Sequence, residues 1–183
     1  ALEEALRRAE QGEQVLWIEN TVAKSQDRYK VVAARAQASN GNIACGLLHS
    51  RFLRADRRVN EDMWVKAFGK EGHALREKCG RILVGTQVLE QSLDIDADFL
   101  ITRMCPTDML FQRIGRLWRH READVLRPAK ARREAWIVAP RLDDARNESS
   151  VWGKSGKVYP PYILFRSLAV WQDQALVALP RQI

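Results

Sequence analysis

Five short, uninterrupted apolar runs, each bounded by polar or turn-forming residues, restrict this chain more than any other feature. They are "QVLWIEN" from Gln14, "IACGLLHS" from Ile43, "RILVGT" from Arg81, "DFLIT" from Asp98 and "AWIVAP" from Ala135. A strand with one wet face alternates apolar and polar residues, whereas an unbroken apolar run reads as a strand covered on both faces. Helical segments lie between the runs. "ALEEALRRAEQ" carries Leu2, Ala5, Leu6 and Ala9 at helical spacing and ends at Gly12. "AKSQDRYKVVAARAQAS" is a second helix stopped by the turn signal Asn40-Gly41, and "RADRRVNEDMWVKAFG" a third closed by Gly69. Strands separated by helices specify an α/β domain: a mostly parallel sheet with helices on both faces. Ligands of such sheets collect at the carboxyl ends of the strands. The residues to watch are therefore Glu19-Asn20-Thr21, His49-Ser50, Gly85-Thr86 and Thr102-Arg103.

The 183 residues fit one domain, since domains run roughly 100–200 residues. The sheet and its helices are expected within residues 1–140. Residues 141–183 are expected to be a charged loop, "RLDDARNESSVWGKSGKVYPP", and an amphipathic helix, "YILFRSLAVWQ", packing on or leading out of the lobe. The formal net charge of +7 favours an anionic partner. Cys45, Cys79 and Cys105 are odd in number and have no C-x-x-C pairing, which points to reduced thiols in the cytoplasm, with neither disulfides nor a zinc site. No apolar run approaches the roughly 20 residues of a membrane span.

"MLFQRIGRLWRH", from Met109, carries the chemistry. On a helical wheel Leu110, Ile114, Leu117 and Trp118 form one stripe. Gln112, Arg116 and Arg119, at i, i+4 and i+7, fall on the opposite face, with Arg113 on the flank. Between Arg113 and Arg133 eight basic residues face only Glu122 and Asp124. A solvated charged face is the ordinary explanation of such a helix. Unpaired guanidiniums at fixed spacing instead suit phosphate oxygens, which their forked donors match.

These residues resemble the superfamily-two helicases. "QRIGRLWRH" is similar to their motif VI, Q/H-R-x-G-R-x-x-R; "ILVGTQVLEQSLDIDAD" to motif V; "VLWIENTVAKSQDRY" to motif IV; and "LLHSRFLRADR" to the segment after motif IV. The four stand in family order over about residues 13 to 140. The combination most resembles the CRISPR-associated helicase–nuclease of type I interference systems, and "VYPPYILFRSLAVW" is similar to a segment following its motor. The resemblance implies a RecA-like fold and the second lobe of a two-lobe motor that sandwiches ATP. Arg116 and Arg119 would then reach the γ-phosphate, Gln112 would approach the phosphates or the attacking water, and Arg113 would support the nucleotide interface. Asp94 would meet the ribose hydroxyls, although a helix cap is an equal reading of it. Thr86 would bond a nucleic-acid phosphate, joined by Thr21, His49 and Ser50; capping suffices for Thr86, and a hydrogen-bonded structural role for His49. Gln91-Ser92 stands where the DEAD-box branch carries Arg-Gly, and Trp118 replaces a small residue, which alters how Arg119 is presented.

The sequence lacks a phosphate loop and an acidic magnesium box. "WGKSGK" fails as the former because Glu148 replaces its first glycine, and it reads as a mobile loop. Three scattered histidines do not make a nuclease centre. ATP and Mg are therefore expected to be held mainly by a first lobe outside these residues, with no metal bound by this chain, and the chain alone is expected to be inactive. The implied partners are single-stranded DNA, the first lobe, a nuclease domain and a CRISPR surveillance complex, with no membrane. Two other readings stay open: the second lobe of a repair or replication-restart helicase, and a non-catalytic RecA-like module binding nucleic acid or protein.

Overall fold

The computed structural model describes residues 1–38, 43–76, 79–90 and 93–177. The turn signal Asn40-Gly41 and the Gln91-Ser92 departure lie outside the described residues. The strands are β1 (Gln14–Ile18), β2 (Ile43–Leu48), β3 (Gly80–Gly85), β4 (Phe99–Arg103) and β5 (Glu134–Val138), one for each apolar run. All pair in parallel, in the order β2-β3-β1-β4-β5. At the centre, Leu16 of β1 stands in register with Leu83 of β3 and Leu100 of β4.

Alternation along β1 divides the interior. Val15 and Trp17 point into one core, with Ile82, Val84, Phe99 and Ile101, covered by α1 (Leu2–Glu10) and α2 (Val22–Ala38). Leu16 and Ile18 point into the other, with Leu83, Leu100, Trp64 and Phe68 of α3 (Arg54–Phe68), and Leu110 and Ile114 of α4 (Thr107–Ile114). Both faces of the central strands are covered, which is why those runs carry no polar alternation. The first helix lies so close to the sheet that a Cβ at Gly80 would sit 1.7 Å from the Ala9 carbonyl oxygen. Only glycine admits that approach.

Two expectations are corrected. Residues 141–160 are not a loop: they hold α5 (Leu142–Asn147) and a tight helical stretch, Ser149–Lys157, kinked at Gly153. Ala145 and Trp152 insert into the second core beside Leu164, Leu168 and Trp171 of α6 (Pro161–Trp171). Single apolar anchors in a polar stretch leave no periodic signal, so the packing was invisible in the sequence. The arginine-bearing helix is also shorter than the wheel assumed. It ends at Ile114 with Gly115 as its cap, and the chain then turns through Arg116 to an isolated parallel bridge between Leu117 and Ala97.

Candidate functional site

The strand ends present the expected residues unequally. Thr21 caps α2, its hydroxyl accepting the Lys24 amide at 3.3 Å, and remains half-buried; Ser50 is exposed. Thr86 is buried and turns the chain into the helical stretch Gln87–Glu90, its carbonyl accepting the Leu89 amide at 3.0 Å. His49 is buried too. Its Nδ1 accepts the Arg51 amide at 3.2 Å, and its ring stacks on Phe52 with centroids 4.1 Å apart and planes 8° from parallel. Burial holds the His49 imidazole below its ordinary value, so it is neutral at physiological pH. Thr86 and His49 thus shape the surface from beneath, whereas Thr21 and Ser50 offer it side chains.

Arg113 does not sit on the flank. It follows Leu110 by one helical turn, and its side chain is fully enclosed. Its Nε donates to Glu90 Oε1 at 2.7 Å, and its Nη1 to Thr102 Oγ1 at 2.7 Å, Asn20 Oδ1 at 3.1 Å and the Arg103 carbonyl at 3.0 Å. Its Nη2 lies 2.6 Å from Glu90 Oε1 and 3.4 Å from the Tyr159 hydroxyl. Burial pushes the Glu90 carboxyl up, and the Arg113 charge opposes that shift. One guanidinium therefore ties together the ends of β1 and β4, the stretch after β3 and the segment before α6. Every donor but the longest is satisfied at short range, so Arg113 has nothing spare for a phosphate. Its carboxylate partner, Glu90, lies 23 positions away in the chain.

The remaining motif VI residues surround a cavity of about 280 Å³ lined by Glu90, Phe111, Gln112, Gly115, Arg116 and Arg119. Gln112 is exposed at its rim. Arg116 is buried and donates through Nη1 to the Leu93 carbonyl and through Nη2 to the Glu90 carbonyl, both at 2.6 Å, while its Nε is enclosed with no hydrogen-bond partner among the described residues. Arg119 is the exposed charge: its side chain is 42% exposed, and its Nε lies 3.3 Å from Asp94 Oδ1. Partial burial works against the Asp94 charge, yet the His120 hydrogen bond and the charges of His120, Arg119 and Lys70 hold its carboxyl below the usual range. Gln112, Arg116, Arg119 and Asp94 are thus brought together. The turn after α4 does this, not a continuous helical face.

Sequence reasoning missed the framework behind them. Asp96 and Asp98, fully buried, bind Arg76 and Arg127: Arg76 Nη1 reaches Asp98 at 2.9 Å and Arg127 Nη2 reaches Asp96 at 3.0 Å. Two of the three histidines meet as well, with His73 Nε2 3.3 Å from His120 Nδ1 and His120 Nε2 2.8 Å from Asp94 Oδ1. His73, His120 and Asp96 place ligand atoms within 4.8 Å of one another. Asp96, however, already accepts from Arg76, Arg127 and the Arg119 and His120 amides. Two guanidiniums against its carboxylate oppose a cation, so the set is better suited to a hydrogen-bonded relay. The "D-I-D-A-D" spacing was the available signal, since alternate acids after a buried run must find buried cations.

Residues 11–122 match a family model described as the C-terminal part of the CRISPR-associated nuclease/helicase Cas3. The chain is 45% identical over 119 residues to the CRISPR-associated endonuclease/helicase Cas3 of Escherichia coli (strain K12), covering 65% of this chain and 13% of that protein. It is 43% identical over 166 residues to the CRISPR-associated nuclease/helicase Cas3 of Streptococcus thermophilus, covering 91% of this chain and 16% of that one. The chain therefore spans only a small part of these relatives' length. Among solved structures, T. fusca Cas3 with ATP superposes with a TM-score of 0.84 at 34% identity, over 98% of this chain and 20% of that one. A chain of a CRISPR RNA-guided surveillance complex in a pre-nicking state gives 0.74 at 34% identity, over 91% and 20%.

Proposed function

This chain belongs to the family of C-terminal regions of the CRISPR-associated nuclease/helicase Cas3, and from that premise we propose that it is the second motor lobe of an ATP-driven single-stranded DNA translocase. The observation that carries the reading is the single cavity that gathers Gln112, Arg116 and Arg119, with Asp94 at the edge. A transferring phosphoryl group spreads negative charge over its oxygens, and catalysis consists mainly of positioning and neutralising that charge. In this reading Arg119 supplies the forked charge at the γ-phosphate, and Arg116, with its unfilled Nε, lines the same oxygens. Gln112 orients the water and Asp94 meets the ribose. Arg113 holds the lobe together without touching nucleotide. DNA passes over the ends of β1 and β2, meeting Thr21 and Ser50, with His49 and Thr86 supporting that surface.

The wider assignment rests on the same membership. The phosphate loop and magnesium acids belong to a first lobe, DNA cleavage to a nuclease domain, and recruitment to a surveillance complex, all in the cytoplasm. No helix among the described residues is long and apolar enough to cross a membrane. The test is DNA-stimulated ATP hydrolysis by the full-length protein. Arg119→Ala should lower the rate ~10³–10⁵-fold, and Arg119→Lys nearly as far, because a point charge cannot reproduce the fork. The 183 residues alone should give no turnover. Near-normal hydrolysis by Arg119→Ala, or turnover by the isolated chain, would refute the assignment.

A further inference from the structure

Arg119 enters the cavity from an unusual stretch of backbone. Trp118, immediately before it, has φ of 49°, the one positive φ outside glycine among the described residues. A bulky L-residue occupies the left-handed region only where its surroundings impose it. Those surroundings can be named. The Trp118 amide donates to the Ala97 carbonyl at 2.9 Å, and its indole Nε1 donates to the Asp98 carbonyl at 3.0 Å. The Arg127 guanidinium lies 4.5 Å from the centroid of its ring. One residue on, the Arg119 amide donates to Asp96 Oδ1 at 2.7 Å, and the His120 amide to the same oxygen at 3.3 Å. Asp96 cannot shift to follow them: its own amide donates to the Phe68 carbonyl at 3.0 Å, and Arg76 and Arg127 grip its carboxylate.

The result is a backbone fixed at every donor around a side chain that, among the described residues, is held only by a half-exposed carboxylate. Without the left-handed residue, the chain leaving Gly115 would carry Arg119 in another direction.

We propose that Trp118 is a positioning residue for Arg119: its indole, anchored to the Asp98 carbonyl and Arg127, sets the left-handed turn that aims the Arg119 guanidinium into the cavity. The inference rests on the reading of Arg119 as the γ-phosphate arginine. It goes further by assigning a catalytic consequence to a residue that touches no substrate.

A double-mutant cycle in the full-length protein tests it, with kcat and KM for ATP measured at saturating single-stranded DNA for Trp118→Ala, Arg119→Ala and the pair. Trp118→Ala should lower kcat on the order of 10²-fold, the loss typical of an ångström-scale misplacement, and leave KM unmoved. Added to Arg119→Ala it should cost nothing more, because no guanidinium remains to aim. A merely structural tryptophan would cost the same factor in both backgrounds, and that additivity, or an unchanged kcat in the single variant, overturns the proposal. If Trp118→Ala does not fold, the same cycle is run with Trp118→Phe, which keeps an aromatic ring for Arg127 but loses the indole N–H and the second ring. Retained turnover in Arg119→Ala alone removes the reading of Arg119, and with it the proposal, before Trp118 is consulted.

Discussion

Arg113 and Arg119 carry the same charge on one short segment, yet truncating them should register in different measurements. Arg113 is a buried cation with partners on four elements, and deleting it strands the Glu90 carboxylate in the interior. Breaking one side of such a pair costs about 3–5 kcal/mol. Arg113→Ala should therefore lower the denaturation midpoint sharply, whereas Arg119→Ala, at a half-exposed side chain, should leave it nearly unchanged. Paired chemical-denaturation curves check this, and equal shifts would contradict the division of roles. That the segment concentrates fixed positive charge was legible in "QRIGRLWRH". Which arginine faces inward was not, because the answer depends on Glu90, whose position in space no local pattern reports.

Among the elements, the stretch from Ser149 to Lys157 and the tyrosine after it do the least expected work. Ser155 and Tyr159 approach the sheet's carboxyl edge: the Asn20 amide donates to Ser155 Oγ at 3.1 Å and the Gln87 amide to the Tyr159 hydroxyl at 3.1 Å. Burial raises the Tyr159 hydroxyl's pKa, so it stays protonated and neutral beside Arg113. Tyr159→Phe removes the hydroxyl that accepts from Gln87 and faces Arg113. It should cost about 1–3 kcal/mol, the range for losing hydrogen bonds that include a charged partner. Urea unfolding of the variant measures it, and an unchanged midpoint would mean these contacts are not made in solution. The apolar runs announced the strands because burial on both faces is written into nearly every residue of the central three. Short helical turns anchored by one tryptophan leave no such record.

At the scale of the molecule, α1 is fastened across the sheet to β5. Arg8 bonds Glu4 at 2.7 Å and reaches Glu13 and Glu134, with Phe99 beneath its guanidinium. The Arg7 hydrogen bond, with Arg8 adding to it against a smaller desolvation effect, pulls the Glu4 carboxyl from 4.5 down to about 2. A depressed acid stabilises the fold above its unfolded pKa, and that contribution fades as pH falls through the folded value. The stability difference between the native sequence and Glu4→Gln should thus be full at neutral pH and shrink between about 4.5 and about 2. A difference that stays constant over that range would mean the ion pairs contribute nothing. The parallel sheet and its double covering were legible from the spacing of the runs, since only the sum of many burial choices had to be right. The ionic framework was not, because Asp96, Asp98, Arg76 and Arg127 meet only after the chain has folded. Arg113's enclosure also limits what can be exchanged between relatives. Its partners are spread from Asn20 to Tyr159, so a chimera joined anywhere between those positions draws one buried hydrogen-bond network from two parents. Shuffled versions of this lobe should survive only where both parents supply a matching set, whatever the overall similarity of the pieces.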